Sequence, residues 1–414
     1  MELKLLSLLG MAAFIGVAWV CSLNRKQFPW RTVLSGLGLQ FAFAVLILKT
    51  DAGRTVFGLA QRAVTRLLGF SEEGAKMVFG PLADSSLLAE KWGPKHAFIF
   101  VVTVSATIIV VSSISSLLYH YGILQRVVRG MAWVMQRAMR TSGSESLATA
   151  ANIFMGQTEA PLVIKPYLKG MTQSELMALM TGGMATIAGG VLAAYVSFGI
   201  DAGHLLTASV MSAPAALLVA KIMLPETEAS ETAAGAPAEV ERETSNGLDA
   251  LCRGASDGMT LALNVMAMLI AFVAVVALAN YLFAWPQQRL GVAQPVTLQA
   301  VFGWVNAPFA LLLGVPPGDC LAVGQVLGER IVLNEFIGYL SLAKLKATLD
   351  PRSFTLATYA LCGFANFASI AIQIGGIGVL APTRRRDLAR LGVRAMIGGL
   401  LASYLTATLV GLLI

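Results

Sequence analysis

The chain runs repeatedly through stretches of about 20 mostly apolar residues, the length that a helix needs to cross the hydrocarbon core of a membrane. Its 414 residues are 56% hydrophobic and only 13% charged, whereas a soluble globular protein carries about a quarter charged residues. We therefore predict an all-α polytopic membrane protein with eight transmembrane helices. They are placed at residues 5–23, 32–48, 98–119, 174–198, 205–224, 259–285, 355–380 and 391–414.

Basic residues set the predicted orientation, because loops rich in Lys and Arg stay in the cytoplasm. The strongest basic clusters lie at 24–31, 124–140 and 383–390. Eight crossings then leave both termini on the periplasmic side of the cytoplasmic membrane. The segments 53–70 and 124–140 are basic and amphipathic, so we predict helices that lie in the membrane interface. The segment 53–70 falls outside in this arrangement, which counts against the orientation.

The net charge of +7 lies mostly in short loops, so it indicates topology and gives no reason to expect a nucleic-acid partner. The four cysteines are scattered and form no CxxC pair, which favours reduced, packed side chains. Neither a nucleophile elbow, an HExxH pattern nor a Gly-rich phosphate loop followed by Lys is found. We therefore predict neither an enzyme nor an ATP-driven pump.

Two segments fit no simple crossing. Residues 145–168 are polar and are interrupted by Pro161 and Pro166, and residues 318–345 carry charged side chains in their middle. Irregular backbone at membrane depth is tolerated only where it is buried in protein or lines a watery cavity. We therefore predict two re-entrant hairpins.

The two hairpins are followed by similar sequences. "GMATIAG" at 183–189 aligns with "GFANFAS" at 363–369, and upstream the doublet 158–159 corresponds to 334–335. Small residues are common at helix contacts, so the Gly/Ala match alone is compatible with chance. The matching glutamate doublets favour a repeat. In the predicted topology its two units are inverted, and secondary transporters with inverted repeats build their site near the bilayer midplane.

Glu159 and Glu335 are the most informative residues, because an ionised carboxylate costs about 2.5–3.5 kcal/mol at the centre of a membrane helix. A salt bridge with Lys165 or Arg330 is the structural alternative. An ionised carboxylate only accepts hydrogen bonds, so it suits donors such as sugar hydroxyls or ring N–H groups.

Neutral polar side chains accompany the two glutamates. Asn366 and Ser369 share a helix face, and Gln157 and Thr158 add donors and acceptors. These residue types predict a site for a neutral, polyhydroxylated ligand with an amide-like edge. Phe364 either lies against a ring of that ligand or packs in the core.

Asn152 and Thr186 carry oxygen atoms beside backbone that we expect to be unwound. Monovalent cations are bound by such oxygens and by carbonyls freed at helix breaks. The alternative is that each side chain only caps a local break.

Three motifs together resemble the concentrative nucleoside transporter family, in its shorter bacterial form. They are "GQTEAPLVIKPYL" (156–168), "NEFIGYL" (334–340) and "CGFANFASIAIQIGG" (362–376), in that order. The resemblance implies a homotrimer in the lipid bilayer, in which a transport domain moves like an elevator against a scaffold. The domains expected on this basis are scaffold helices at 1–123 and 250–297, transport-domain repeats at 124–224 and 298–414, and an acidic, solvated cytoplasmic linker at 225–249.

The resemblance also implies roles for individual residues, carried over position by position. Those expected at the nucleobase are Gln157, Thr158, Glu159 and Val191. Those expected at the ribose are Glu335, Asn366, Ser369 and Phe364. Sodium would be held by the side chains of Asn152 and Thr186 and by the backbone carbonyls of Met155 and Ile187.

The expected function is sodium-coupled import of nucleosides such as uridine. Proton coupling, with Glu159 or Glu335 titrating, is the alternative within the same class. A passive channel or facilitator would also use re-entrant hairpins, but opposed repeats favour alternating access. A membrane enzyme would need a nucleophile or a metal site that the sequence does not offer.

Overall fold

The structure is a computed structural model that describes residues 2–93, 99–236 and 244–414. Within these ranges all regular secondary structure is helical. The N-terminal part contains two long apolar helices, an amphipathic helix, a short helix and a third long apolar helix. They are α1 (Glu2–Val20), α2 (Trp30–Lys49), α3 (Asp51–Phe79), α4 (Ser85–Trp92) and α5 (Phe100–His120).

The next part contains an amphipathic helix, a helical hairpin, a broken helix and a long helix. They are α6 (Ile123–Met139), the hairpin arms α7 (Gly143–Asn152) and α8 (Ala160–Val163), the two halves α9 (Gln173–Ala185) and α10 (Gly189–Ser197), and α11 (Ala202–Met223). Thr172 and Glu175 form a capping box at the start of α9, and such reciprocal bonds satisfy free N–H groups at a helix N-terminus.

The C-terminal part begins with a helix of 43 residues and then repeats the same order of elements. They are α12 (Gly247–Arg289), α13 (Leu298–Leu313), the hairpin arms α14 (Cys320–Val332) and α15 (Glu335–Lys344), the two halves α16 (Pro351–Leu361) and α17 (Phe367–Leu380), and α18 (Arg385–Leu413). The order in α6–α11 therefore recurs in α13–α18, as the repeat in the sequence predicts.

Seven helical segments of the described chain are long and apolar enough to cross a membrane. They match seven of the eight predicted crossings. The eighth, at 355–380, is divided into α16 and α17 by a non-helical stretch at 362–366. The sequence analysis left α13 unassigned, because this helix of 16 residues is shorter than a full crossing. The predicted interfacial helix at 53–70 is correct in kind but is part of the longer α3.

The broken helix α9–α10 and the helices α11 and α18 form the centre of the protein. In their most apolar stretches 89%, 89% and 78% of the residues are buried, against 22% in α1, 28% in α2 and α5, and 18% in α12. Helix α18 packs against α9, α11 and α17, and α5 packs against both α12 and α10. The outer helices therefore expose apolar faces, which is typical of a chain surrounded by lipid or by further subunits.

The acidic segment after α11 differs from its prediction as a solvated linker. The carbonyl of Thr232 accepts a hydrogen bond of 2.8 Å from the Gly143 N–H, and the Thr232 hydroxyl accepts one of 3.1 Å from the Ser144 N–H. Free N–H groups at the start of a helix need such partners, which explains why Thr232 is only 4% exposed. The segment is therefore anchored on the first hairpin, although most of residues 226–234 are exposed. Residues 237–243 lie outside the described chain, and α12 begins at Gly247, inside the range predicted as linker.

Candidate substrate and cation site

The predicted site residues lie where helices end or break. Asn152 is the last residue of α7, Thr186 follows the last residue of α9, and Glu335 is the first residue of α15. Asn366 caps α17, where its Oδ1 accepts from the Ser369 N–H at 2.9 Å. Because helix ends leave backbone N–H and C=O groups unpaired, polar atoms concentrate at these breaks.

Glu335 lies at the centre of one hydrogen-bond network. Its Oε1 accepts from the Tyr195 hydroxyl at 3.0 Å, and its Oε2 accepts from Asn366 Nδ2 at 2.9 Å. The side chain is only 5% exposed. A buried carboxylate is stable only when it is paired or hydrogen-bonded, and these two donors come from the broken helices of both repeats.

Gln157 lies at the centre of a second network. Its Nε2 donates to Ser369 Oγ at 3.1 Å, and its Oε1 accepts from Gln373 Nε2 at 3.1 Å. Gln157 is in the tip of the first hairpin, whereas Ser369 and Gln373 are in α17. Ser369 also joins the two networks through its N–H on Asn366.

Glu159 and Thr158 are more exposed than Gln157. Glu159 Oε2 accepts from the Gly156 N–H at 3.2 Å, which holds the carboxylate over the hairpin tip. The methyl group of Thr158 lies close to Gly376, where an added Cβ would be 3.0 Å from it. Val191 is buried in α10, and Phe364 is half-buried and packs against the core.

The structural alternative of a salt bridge is not observed in the described ranges. Neither Glu159 nor Glu335 forms an ion pair there, and Lys165 is exposed. The buried Arg330 donates to the Ala360 carbonyl and, at 3.0 Å, to Ser403 Oγ. Its guanidinium therefore holds the end of α16, next to the break that carries Asn366.

Asn152 and Thr186 meet beside Gly182, and we call these two side chains the cation cluster. Asn152 is 0% exposed, and neither its Oδ1 nor its Nδ2 has a hydrogen-bond partner in the part of the chain described. The Thr186 hydroxyl donates to the Gly182 carbonyl at 2.9 Å, and a Cβ added to Gly182 would lie 3.5 Å from Asn152 Nδ2. A buried amide without partners is costly, so this arrangement is suited to a bound cation.

The backbone near the cation cluster belongs to the same two breaks. Met155 lies in the hairpin tip, and Ile187 is buried between α9 and α10. The Phe154 carbonyl accepts from the Gly189 N–H at 3.2 Å. The hairpin tip therefore rests directly on the break in the first broken helix.

Two members of the networks, Tyr195 and Gln373, are absent from the sequence-based site. Tyr195 lies four residues after Val191, and residues four apart share a helix face. That spacing was the available signal. Gln373 lies four residues after Ser369 and has the same signal, a polar residue repeated on one face of an apolar helix.

Three family models match the chain. A model described as Na+ dependent nucleoside transporter C-terminus matches residues 204–411, the corresponding N-terminus model matches residues 9–82, and a model described as Nucleoside recognition matches residues 101–202.

Relatives match over almost the whole chain. An uncharacterized transporter of Haemophilus influenzae is 45% identical over 99% of this chain and 97% of its own length. The uncharacterized transporter YutK of Bacillus subtilis is 42% identical over 98% of both chains. The sodium/nucleoside cotransporter 2 of Rattus norvegicus is 38% identical over 99% of this chain and 63% of its own length.

Solved structures of the transporter CNTnw are also similar. Its inward-facing, substrate-bound state gives a TM-score of 0.92 at 38% identity, covering 99% of this chain and 97% of CNTnw. An outward-facing state of a CNTnw variant gives a TM-score of 0.93 at 37% identity, covering 100% and 98%. The fold is therefore that of an elevator-type transporter and not of an enzyme. The chain belongs to the concentrative, Na+-dependent nucleoside transporter family of multi-pass membrane proteins.

Proposed function

We propose that this protein is a sodium-coupled symporter that imports nucleosides, such as uridine, across the cytoplasmic membrane by an elevator mechanism. One observation carries the proposal. The tip of the first hairpin holds both the unpartnered Asn152 and, five residues later, Gln157 of the polar network. A cation that binds Asn152 and orders this tip would also order Gln157 for a nucleoside, and this shared segment couples the two ligands.

The polar groups suit a nucleoside. The Glu335 carboxylate receives two donors from the protein and, with about four lone-pair sites, keeps room for the 2′- and 3′-hydroxyls of ribose. Gln157, Thr158 and Glu159 provide donors and acceptors for the base. Val191 and Phe364 provide apolar contact for the rings.

Sodium is the coupling ion that the cluster favours, because Asn152 and Thr186 offer neutral oxygens, with the carbonyls of Met155 and Ile187 as further ligands. The name of the rat relative, a sodium/nucleoside cotransporter, supports this assignment. Proton coupling is the second candidate. It is favoured by Glu159, an exposed acid that no basic side chain neutralises among the described residues.

The energy available is sufficient for accumulation. One monovalent cation moving down 100 mV supplies about 2.3 kcal/mol. At about 1.4 kcal/mol per tenfold, this supports roughly fortyfold accumulation of a neutral substrate before any sodium gradient is added.

We also propose a homotrimer with both termini in the periplasm. The orientation rests on the basic loops. The trimer is supported by the long α12, which exposes large apolar side chains such as Ile270 (73%) and Tyr281 (68%). Such faces are suited to lipid and to neighbouring copies.

The test is uptake of radiolabelled uridine into proteoliposomes, with protein-free liposomes as the control. Accumulation above equilibrium under an inward sodium gradient, without a proton gradient, is the expected result. Accumulation under a proton gradient alone would transfer the coupling role to a carboxylate. Equilibration under both gradients would indicate a facilitator, and no uptake of any nucleoside would refute the substrate class.

A further inference from the structure

We propose that Gln373 is a positioning residue that fixes the orientation of the Gln157 amide, so that the first hairpin offers a hydrogen-bond donor to an accepting atom of the base. This inference rests on the proposed function and adds a determinant of base recognition to it.

The orientation of Gln373 follows from its partners. Its Nε2 donates to the Met180 carbonyl at 3.1 Å and to Gln157 Oε1 at 3.1 Å. A backbone carbonyl only accepts hydrogen bonds, so the NH₂ end of Gln373 must face Met180. Both of its hydrogens are then used. Its Oε1 has no partner among the described residues, so this side chain, 1% exposed, acts through its donors.

Gln373 in turn determines how Gln157 is oriented. Since Gln373 presents N–H, Gln157 must turn its carbonyl oxygen toward Gln373 and its Nε2 toward Ser369. One Nε2 hydrogen is used by Ser369, and the other is left for a ligand. A glutamine that rotates freely offers either a donor or an acceptor, whereas this one offers a donor, close to the acceptor-only carboxylate of Glu159.

Gly183 provides the space for this contact. A Cβ at this position would lie 2.7 Å from Gln373 Nε2 and 3.0 Å from Gln157 Cβ. The two glutamines therefore meet over a point of α9 that has no side chain. This packing holds the hairpin tip, α9 and α17 in one arrangement.

The test compares Gln373→Met, which keeps length and volume but removes the donors, with Gln40→Met. Gln40 is also 0% exposed and donates from Nε2 to Thr406 Oγ1 at 2.9 Å, between α2 and α18. The KM for uptake is measured for uridine, 2-thiouridine, 4-thiouridine and 3′-deoxyuridine. Sulfur is a weaker acceptor than oxygen, so the two thio compounds weaken one base carbonyl each.

In the wild-type protein we expect one thio compound to have a KM up to about tenfold above that of uridine, the value of a hydrogen bond worth about 1.4 kcal/mol. In Gln373→Met this ratio should fall below about twofold, while the penalty for 3′-deoxyuridine stays at its wild-type value. A merely structural role would raise every KM by the same factor and leave both ratios unchanged.

Three results would overturn the proposal: a thio ratio that persists in Gln373→Met, an equal loss of that ratio in Gln40→Met, or no thio discrimination in the wild type. If Gln373→Met is not produced in folded form, Gln373→Glu replaces it, because the carboxylate has the same shape but cannot donate when ionised. Failure of the proposed function is distinguishable, since the wild-type protein would then not take up uridine at all.

Discussion

Replacing Glu335 by glutamine should weaken uridine binding strongly while leaving the fold intact. The amide keeps the shape of the carboxylate, so its oxygen can accept from Asn366 and its NH₂ can donate to the Tyr195 oxygen, in place of the bonds of 2.9 and 3.0 Å. Only the charge is lost. A hydrogen bond to a charged group contributes about 1.5–3 kcal/mol, against about 0.5–1.5 kcal/mol for a neutral one.

The magnitude follows from the number of ligand bonds. If both ribose hydroxyls donate to Glu335, two charge-assisted bonds become neutral, at about 1–1.5 kcal/mol each. The Kd for uridine should therefore rise about 30- to 150-fold. Isothermal titration calorimetry on the purified protein measures this change directly.

Glu329→Gln is the matched control for Glu335→Gln. Glu329 is also buried, at 4% exposed, and lies in the same hairpin, where it accepts from Gln325 Nε2 at 3.1 Å. This variant should bind uridine with nearly the wild-type Kd. For 2′,3′-dideoxyuridine, which lacks both hydroxyls, Glu335→Gln should change the Kd less than about threefold. An unchanged uridine Kd, or an equal loss for the dideoxy compound, would refute the reasoning.

Three further predictions concern the cation cluster and the packing of the helices. Alanine at both side chains of the cation cluster should abolish the sodium dependence of uridine uptake, and full dependence in that variant would place the ion elsewhere. Lys221→Met leaves the Glu145 carboxylate, now 2.7 Å from Lys221 Nζ and 1% exposed, without its cation. Loss of one partner of a buried pair costs about 3–5 kcal/mol, so the Tm should fall, and Lys221→Met with Glu145→Gln should recover part of it. Gly10→Ala should lower the Tm by forcing α1 away from α13, because the new Cβ would lie 1.9 Å from the Leu312 carbonyl oxygen; Gly16→Ala, with nothing within 4 Å, should not.

The sequence predicts the hairpins and broken helices well, because they depend on local signals. A glutamate beside a proline inside an apolar stretch cannot continue a simple crossing, and the structure places irregular backbone at 153–159 and 186–188. The second break, at 362–366, follows from the matching Gly/Ala pattern. Capping by Asn366 is also a local property of the chain.

The remaining features depend on contacts between distant parts of the chain. Tyr195 bonds to a carboxylate 140 residues away, and Gln373 bonds to an amide 216 residues away. Each reads locally as one polar residue on an apolar helix. The anchoring of Thr232 was missed for the same reason, since an acidic, Ala-rich composition predicts solvation and does not reveal which N–H groups lie nearby.

The central claim is that sodium and nucleoside share the first hairpin, and the Kd for uridine as a function of sodium concentration tests it most directly. At constant ionic strength, with choline replacing sodium, the Kd should fall as sodium rises and then level off. By linkage, uridine should strengthen sodium binding by the same factor. A uridine Kd that is identical in sodium and in choline would contradict the claim.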